Sequence, residues 1–202
     1  MSGGPIRRLR EAVRAWGTTR EERDARLPCD GLVTGEHLVV DRAVDTDAPR
    51  AAVFRWLCQL RVAPYSYDWI DNLGRKSPRT LTPGADSLAR GQRLLIAEIT
   101  DFAPNEHITG RAVSTAERLY GVVAITYRVT PRPSSATRLV VRLLVHEPTR
   151  WWHGIRFQLL AWGDLIMMRK QLRTLKALAE QTARDVQPAG SSVPKMSEQR
   201  RV

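Results

Sequence analysis

Residues 151–184, WWHGIRFQLLAWGDLIMMRKQLRTLKALAEQTAR, form a proline-free run with helical periodicity, and few folds accommodate so long a helix with two apolar faces. Phe157, Ala161, Leu165, Met168, Leu172, Leu175 and Ala179 recur along its whole length. Trp151, Trp152, Ile155, Leu159, Trp162 and Ile166 make a second stripe, which stops where the first continues. Arg169, Lys170, Arg173 and Lys176 fill much of the remaining surface of the second half. One face therefore packs along a core for the full helix, and the other meets something different over its first half.

The rest of the chain supplies that core. HLVVDRAVDT at 37–46 is rich in β-branched residues and reads as a strand. Asp47 and Pro49 predict a helix start, and the helix runs to about Leu60 with Val53, Trp56, Leu57 and Leu60 facing inward. Strands are predicted at Arg79–Thr82, Gln92–Phe102, His107–Ser114, Leu119–Thr130 and Thr137–His146, separated by turn chemistry such as Ala103-Pro-Asn. Consecutive strands with short connections imply an antiparallel meander. Its apolar face needs a cover, and the late helix is the element available. The fold class is thus α+β, a curved antiparallel sheet around a long C-terminal helix.

Ahead of this lies a leader. Pro5–Trp16 reads as a short basic amphipathic helix, Thr18-Thr19 with Glu21-Glu22 as a capping box, and Leu27–Gly35 as linker. Residues 1–35 are expected to form a helical leader packed on a domain of residues 36–184. Residues 185–202, rich in proline, serine and glycine, are expected to be a disordered tail. With 202 residues and no apolar run of spanning length, the chain reads as cytoplasmic. Its net charge of +11 is spread rather than gathered in a recognition element, which argues against specific nucleic-acid binding. Cys29 and Cys58 are far apart, and none of the four histidines has metal-ligand spacing, so neither a disulfide nor a metal nor a cofactor is expected.

The residues then resemble a known superfamily. TDAPRAAVFRWL at 46–57, YSYDWIDNLGR at 65–75, ARGQRLLIAEITDFAPNEHIT, TRLVVR at 137–142 and MMRKQLRTLKALAE are similar to segments of the SRPBCC superfamily, the START-like or helix-grip fold that includes polyketide cyclases and lipid-transfer domains. The resemblance implies a cavity between sheet and long helix that takes a lipid, a polyketide or an aromatic compound; only some members of the superfamily catalyse a reaction there, and the reading leans to binding. Expected lining residues are Val123, Ile125, Tyr127, Val141 and Leu143 from the strands and Phe157, Leu165, Met168 and Leu172 from the helix. Tyr65, Tyr67 and Trp69 are expected at its entrance, where amphipathic aromatics combine apolar area with polar tips. The sequence leaves both strand faces open for this role.

Two further readings stand beside it. In a cyclase/aromatase-like enzyme, Asp164, Tyr65, Tyr67 and Arg142 would position an enolisable substrate. Asp164 lies on the flank of the core-facing stripe, where a carboxylate reaches solvent, points into a wet cavity or pairs with an arginine, for which Arg142 and Arg128 are candidates. In the other reading, the Trp151/Trp162 face docks the N-terminal helix, a second copy in a homodimer, or weakly a membrane surface.

Overall fold

A computed structural model describes residues 14–67, 74–113, 117, 122–133, 136–146 and 152–186, with side chains of the last stretch described from 167 onward. The elements are β1 (Ala15–Trp16), α1 (Arg20–Asp24), β2 (His37–Thr46), α2 (Arg50–Cys58), β3 (Arg93–Leu94), β4 (Ala97–Ala103), β5 (His107–Ala112), β6 (Val123–Pro131), β7 (Thr137–His146) and α3 (Trp152–Val186). Short 3₁₀ turns at Pro28–Gly31 and Gln59–Arg61 complete them. The sheet order is β1-β2-β7-β6-β5-β4-β3, antiparallel throughout except for the parallel β1–β2 edge.

Alternation along the strands divides the sheet into two unlike faces. On β7, Leu139, Val141 and Leu143 face the helices, with Val44 and Val129 beside them. From above, α3 lays Met168, Leu172, Leu175, Leu178 and Ala179 onto this side, and α2 adds Val53, Phe54, Trp56 and Leu57. Burial of each such side chain stabilises the fold by about 1.5–3 kcal/mol. Polar pins hold the two helices in place. Trp56 Nε1 donates to Thr182 Oγ1 at 2.9 Å, and Glu180 accepts from the Thr46 hydroxyl and the Asp47 N–H.

The sheet curves where the chain permits it. β4 carries a bulge between Ile99 and Asp101, opposite Gly110. A Cβ at Gly110 would lie 2.9 Å from the Glu98 carbonyl oxygen, so only glycine fits that approach.

Several expectations need correction. Residues 1–13 lie outside the described residues, but Ala15–Trp16, read as the end of a helix, are a strand paired with Asp41 and Arg42. Gly17 then turns the chain at φ +76°, where a Cβ would sit 2.3 Å from the Ala43 carbonyl oxygen. Leu27–Gly35 is more than a linker, because Leu27, Cys29 and Val33 are buried with Ala124 and Leu144 on the convex face. Asp47 does not cap α2. Its place is taken by Pro49, whose carbonyl accepts from Ala52 and Val53. Arg79–Thr82 is not a strand, since Thr82 is held instead by the Gln59 amide. The predicted strand from Gln92 splits into the β3–β4 hairpin at Leu95, which adopts φ 58°. The capping box holds as read, with Thr19 and Glu22 each bonding the other's backbone N–H.

Candidate functional site

The register of β6 and β7 decides which strand face meets α3. Val123, Ile125 and Tyr127 pair with Val145, Leu143 and Val141, and all six belong to the concave, helix-facing side. The five expected strand residues thus stand together on one surface.

Beneath the second half of α3 this surface is solid. Tyr127, Val141 and Leu172 are fully buried, and Met168 is nearly so. A polar line crosses the packed region. The Tyr127 hydroxyl donates to Gln171 Oε1 at 2.9 Å, and Gln171 Nε2 donates to the Pro64 carbonyl at 2.7 Å. Each partner removes a desolvation penalty from the other, so the line is stable inside an apolar core. It ends where the 64–67 segment begins. Tyr65, at φ 55°, donates its N–H to Ser77 Oγ and sets its ring edge-on to Trp56, with centroids 5.9 Å apart. Tyr65 is buried and Tyr67 half-buried. Trp69 lies outside the described residues.

Toward the opposite end of the strands the same apolar face continues with Val123, Ile125, Leu143 and Val145, the last two only half-buried. From this end the chain leaves β7 at His146 and re-enters regular structure as α3 at Trp152. Phe157, Asp164 and Leu165 belong to the first half of α3, and their side chains lie outside the described residues, as does the Trp151/Trp162 face.

Arg142 is corrected by the same register. It faces away from α3, because it alternates with Val141 and Leu143 along β7. There it is saturated. Nε donates to Asp41 at 2.8 Å, Nη1 to Asp30 at 3.1 Å and to the Ala25 carbonyl, and Nη2 to the carbonyls of Glu22 and Arg23. Arg138, two residues earlier, grips Glu22 through two bonds of 2.7 and 2.8 Å and the Gly17 carbonyl at 2.6 Å. These two arginines bolt residues 17–30 to the convex face, a structural role. Burial pushes the Asp41 carboxyl up against the opposing pull of Arg142, while the Arg138 guanidinium holds Glu22 below the usual carboxylate range. Arg128 is exposed on that convex side too. Neither arginine offered as a partner for Asp164 is therefore on the helix-facing surface.

The concave face does hold a guanidinium that sequence reasoning missed. Arg42 is 1% exposed and lies in the lateral row Arg42–Val141–Tyr127 set by strand pairing. Its Nη1 donates to the Asp41 carbonyl at 2.9 Å. The available signal was its phase, two residues from both Val40 and Val44. Among the described residues, no group of three His, Cys, Asp or Glu side chains is placed to hold a metal ion.

A seven-stranded sheet whose concave face holds a long C-terminal helix, with α2 between its first and later strands, has one reading. The architecture is that of a helix-grip fold. No protein-family model and no curated protein sequence matches this chain. Among solved structures, it is similar to protein MLL2253 from Mesorhizobium loti, at 16% identity over 73% of this chain and 98% of that one, with a TM-score of 0.45. It is also similar to the di-domain aromatase/cyclase StfQ of the steffimycin biosynthetic pathway, at 12% identity and a TM-score of 0.44, covering 73% of this chain and 52% of that one. A third likeness is to Arabidopsis thaliana At1g70830, a member of the major latex protein family, at 13% identity over 64% and 92% of the two chains and a TM-score of 0.34. No described helix is long and apolar enough to cross a membrane.

Proposed function

We propose that the protein binds a small hydrophobic or amphipathic molecule, of lipid, polyketide or aromatic type, between the sheet and the first half of α3. The observation that carries this reading is the unbroken apolar surface of Val123, Ile125, Leu143 and Val145, which extends beyond the packed region bounded by Met168. A ligand gains most of its affinity from such a surface and its orientation from a few polar groups. In this reading Tyr127 and Gln171 form the polar floor of that region and Tyr67 stands at its rim. Val141 and Leu172 support the floor from within the core. Binding is favoured over catalysis because Arg142, the cation of the enzymatic reading, is committed to Asp41 and Asp30 on the other face.

Native mass spectrometry of protein purified without detergent tests the proposal. The expected spectrum contains an adduct of a few hundred daltons that is absent after denaturation. Bare chain in every preparation, together with no uptake of an added apolar probe, would overturn it.

A further inference from the structure

A groove of about 220 Å³ runs along the flank of α3, with the buried Leu178 in its wall. Lys170, Arg173, Thr174, Leu178 and Gln181 line one side at helical spacing, and Arg79 contributes from the segment before β3. Arg79 lies in the basic stretch RKSPR and Lys170 and Arg173 in MRKQLR, and the fold brings the two stretches to one concavity. Among the described residues no acid lines it, and none of the three cations has a carboxylate partner. Glu180, the nearest acid on the helix, is committed to Lys176 and to Thr46.

Three like charges held close together repel one another, and an anion relieves that repulsion. The site is also partly preorganised. Arg173 and Arg169 stack over the Trp16 ring, with guanidinium carbons 5.7 and 4.8 Å from its centroid. Leu178, 3% exposed, lies in the wall, and low-polarity surroundings strengthen the charge interactions above it. Two planar guanidinium forks, an ammonium and the Gln181 amide offer donors from several directions, which suits a tetrahedral oxyanion better than a planar carboxylate.

We propose that this groove is a binding site for a phosphate group. It is separate from the sheet–helix interior and does not depend on what that interior binds. The phosphate can belong to a free small molecule or to the headgroup of a phospholipid, and the two sources are distinguished by experiment.

Thermal unfolding of the full chain is followed while inorganic phosphate is titrated against chloride at equal ionic strength. The wild type, Lys170→Gln/Arg173→Gln and Arg79→Gln are compared. All three substituted side chains are exposed and Arg173→Gln gives up its stacking on Trp16, so each phosphate response is measured from that protein's own melting point in chloride. Phosphate should raise the melting point of the wild type, with apparent affinity falling about tenfold for each cation removed. In parallel, the proteins are sedimented with vesicles of phosphatidylcholine alone or with phosphatidylglycerol added. Retention on the phosphatidylglycerol vesicles that is lost in the variants assigns the headgroup, and a phosphate response without retention assigns a free phosphate. An equal response in wild type and variants, a response reproduced by chloride, or no response to either probe would overturn the proposal.

Discussion

Arg142→Met separates a structural role for this arginine from a place in the binding site. Its side chain contacts two carboxylates and three main-chain carbonyls, and Asp41, the nearer of the two carboxylates, is 4% exposed. Methionine keeps most of the aliphatic stem and removes every donor. Deleting one partner of a buried pair costs about 3–5 kcal/mol, since the remaining charge stays desolvated. Proton uptake by Asp41, already favoured by burial, limits the loss to the lower part of that range. The Ala25, Glu22 and Arg23 carbonyls add roughly 1–2 kcal/mol more. The expected total is about 4 kcal/mol, a large share of an ordinary domain's stability. Urea unfolding followed by tryptophan fluorescence reads it directly, because Trp56 is almost fully buried. The midpoint should fall with the slope unchanged. Adding Asp41→Leu to Arg142→Met should restore about 2 kcal/mol, since the unpaired charge is then gone. A midpoint within about 0.5 kcal/mol of wild type, combined with weakened uptake of an apolar probe, would show that Arg142 serves the ligand and would refute the assignment.

Tyr127→Phe takes the donor from the Gln171 carbonyl inside the core, and its cost should be about 1–3 kcal/mol by urea unfolding. Adding Gln171→Leu should not recover the whole loss, because the Pro64 carbonyl then also loses its donor. Burial pushes the Cys29 thiol up to about 11 and the Cys58 thiol up to about 12. Both should therefore stay protonated and resist a thiol-specific reagent at pH 8 in native buffer, and both should react promptly in urea, where their ordinary acidity returns. Gly17→Ala meets both a left-handed φ and the Ala43 carbonyl 2.3 Å from its new methyl group, so its melting point should fall by several degrees.

The long elements were legible because each carries a periodic signal over many residues. β2 and β7 span the residues expected from sequence, and the stripe of Met168, Leu172, Leu175 and Ala179 is the buried face of α3. The misses share a cause: tertiary partners decide them. Leu95 looks like one more member of an apolar alternation, and nothing in a leucine announces a left-handed turn. Proline and glycine around Cys29 advertise a loop, but the burial of that loop depends on Thr126, ninety-seven residues away, which accepts the Cys29 N–H. Arg142 and Arg42 show the same limit at the site. Both sit on apolar strands, and the register shows that the first faces the leader and the second faces the helix. The choice of strand face, left open by alternation alone, is fixed by α3 and α2 covering one side and residues 17–33 the other.

The most direct test of the central claim is a titration with 1-anilinonaphthalene-8-sulfonate, comparing the wild type with Leu143→Trp. Leu143 stands on the half-buried apolar surface beyond the packed core, so a larger ring there fills the proposed space without entering the core beneath α3. Saturable, one-site fluorescence enhancement is expected for the wild type. Affinity at least about tenfold lower is expected for Leu143→Trp, a difference of roughly 1.4 kcal/mol, with an unchanged urea midpoint. Equal binding by the two proteins, or no saturable binding by either, would contradict the central claim.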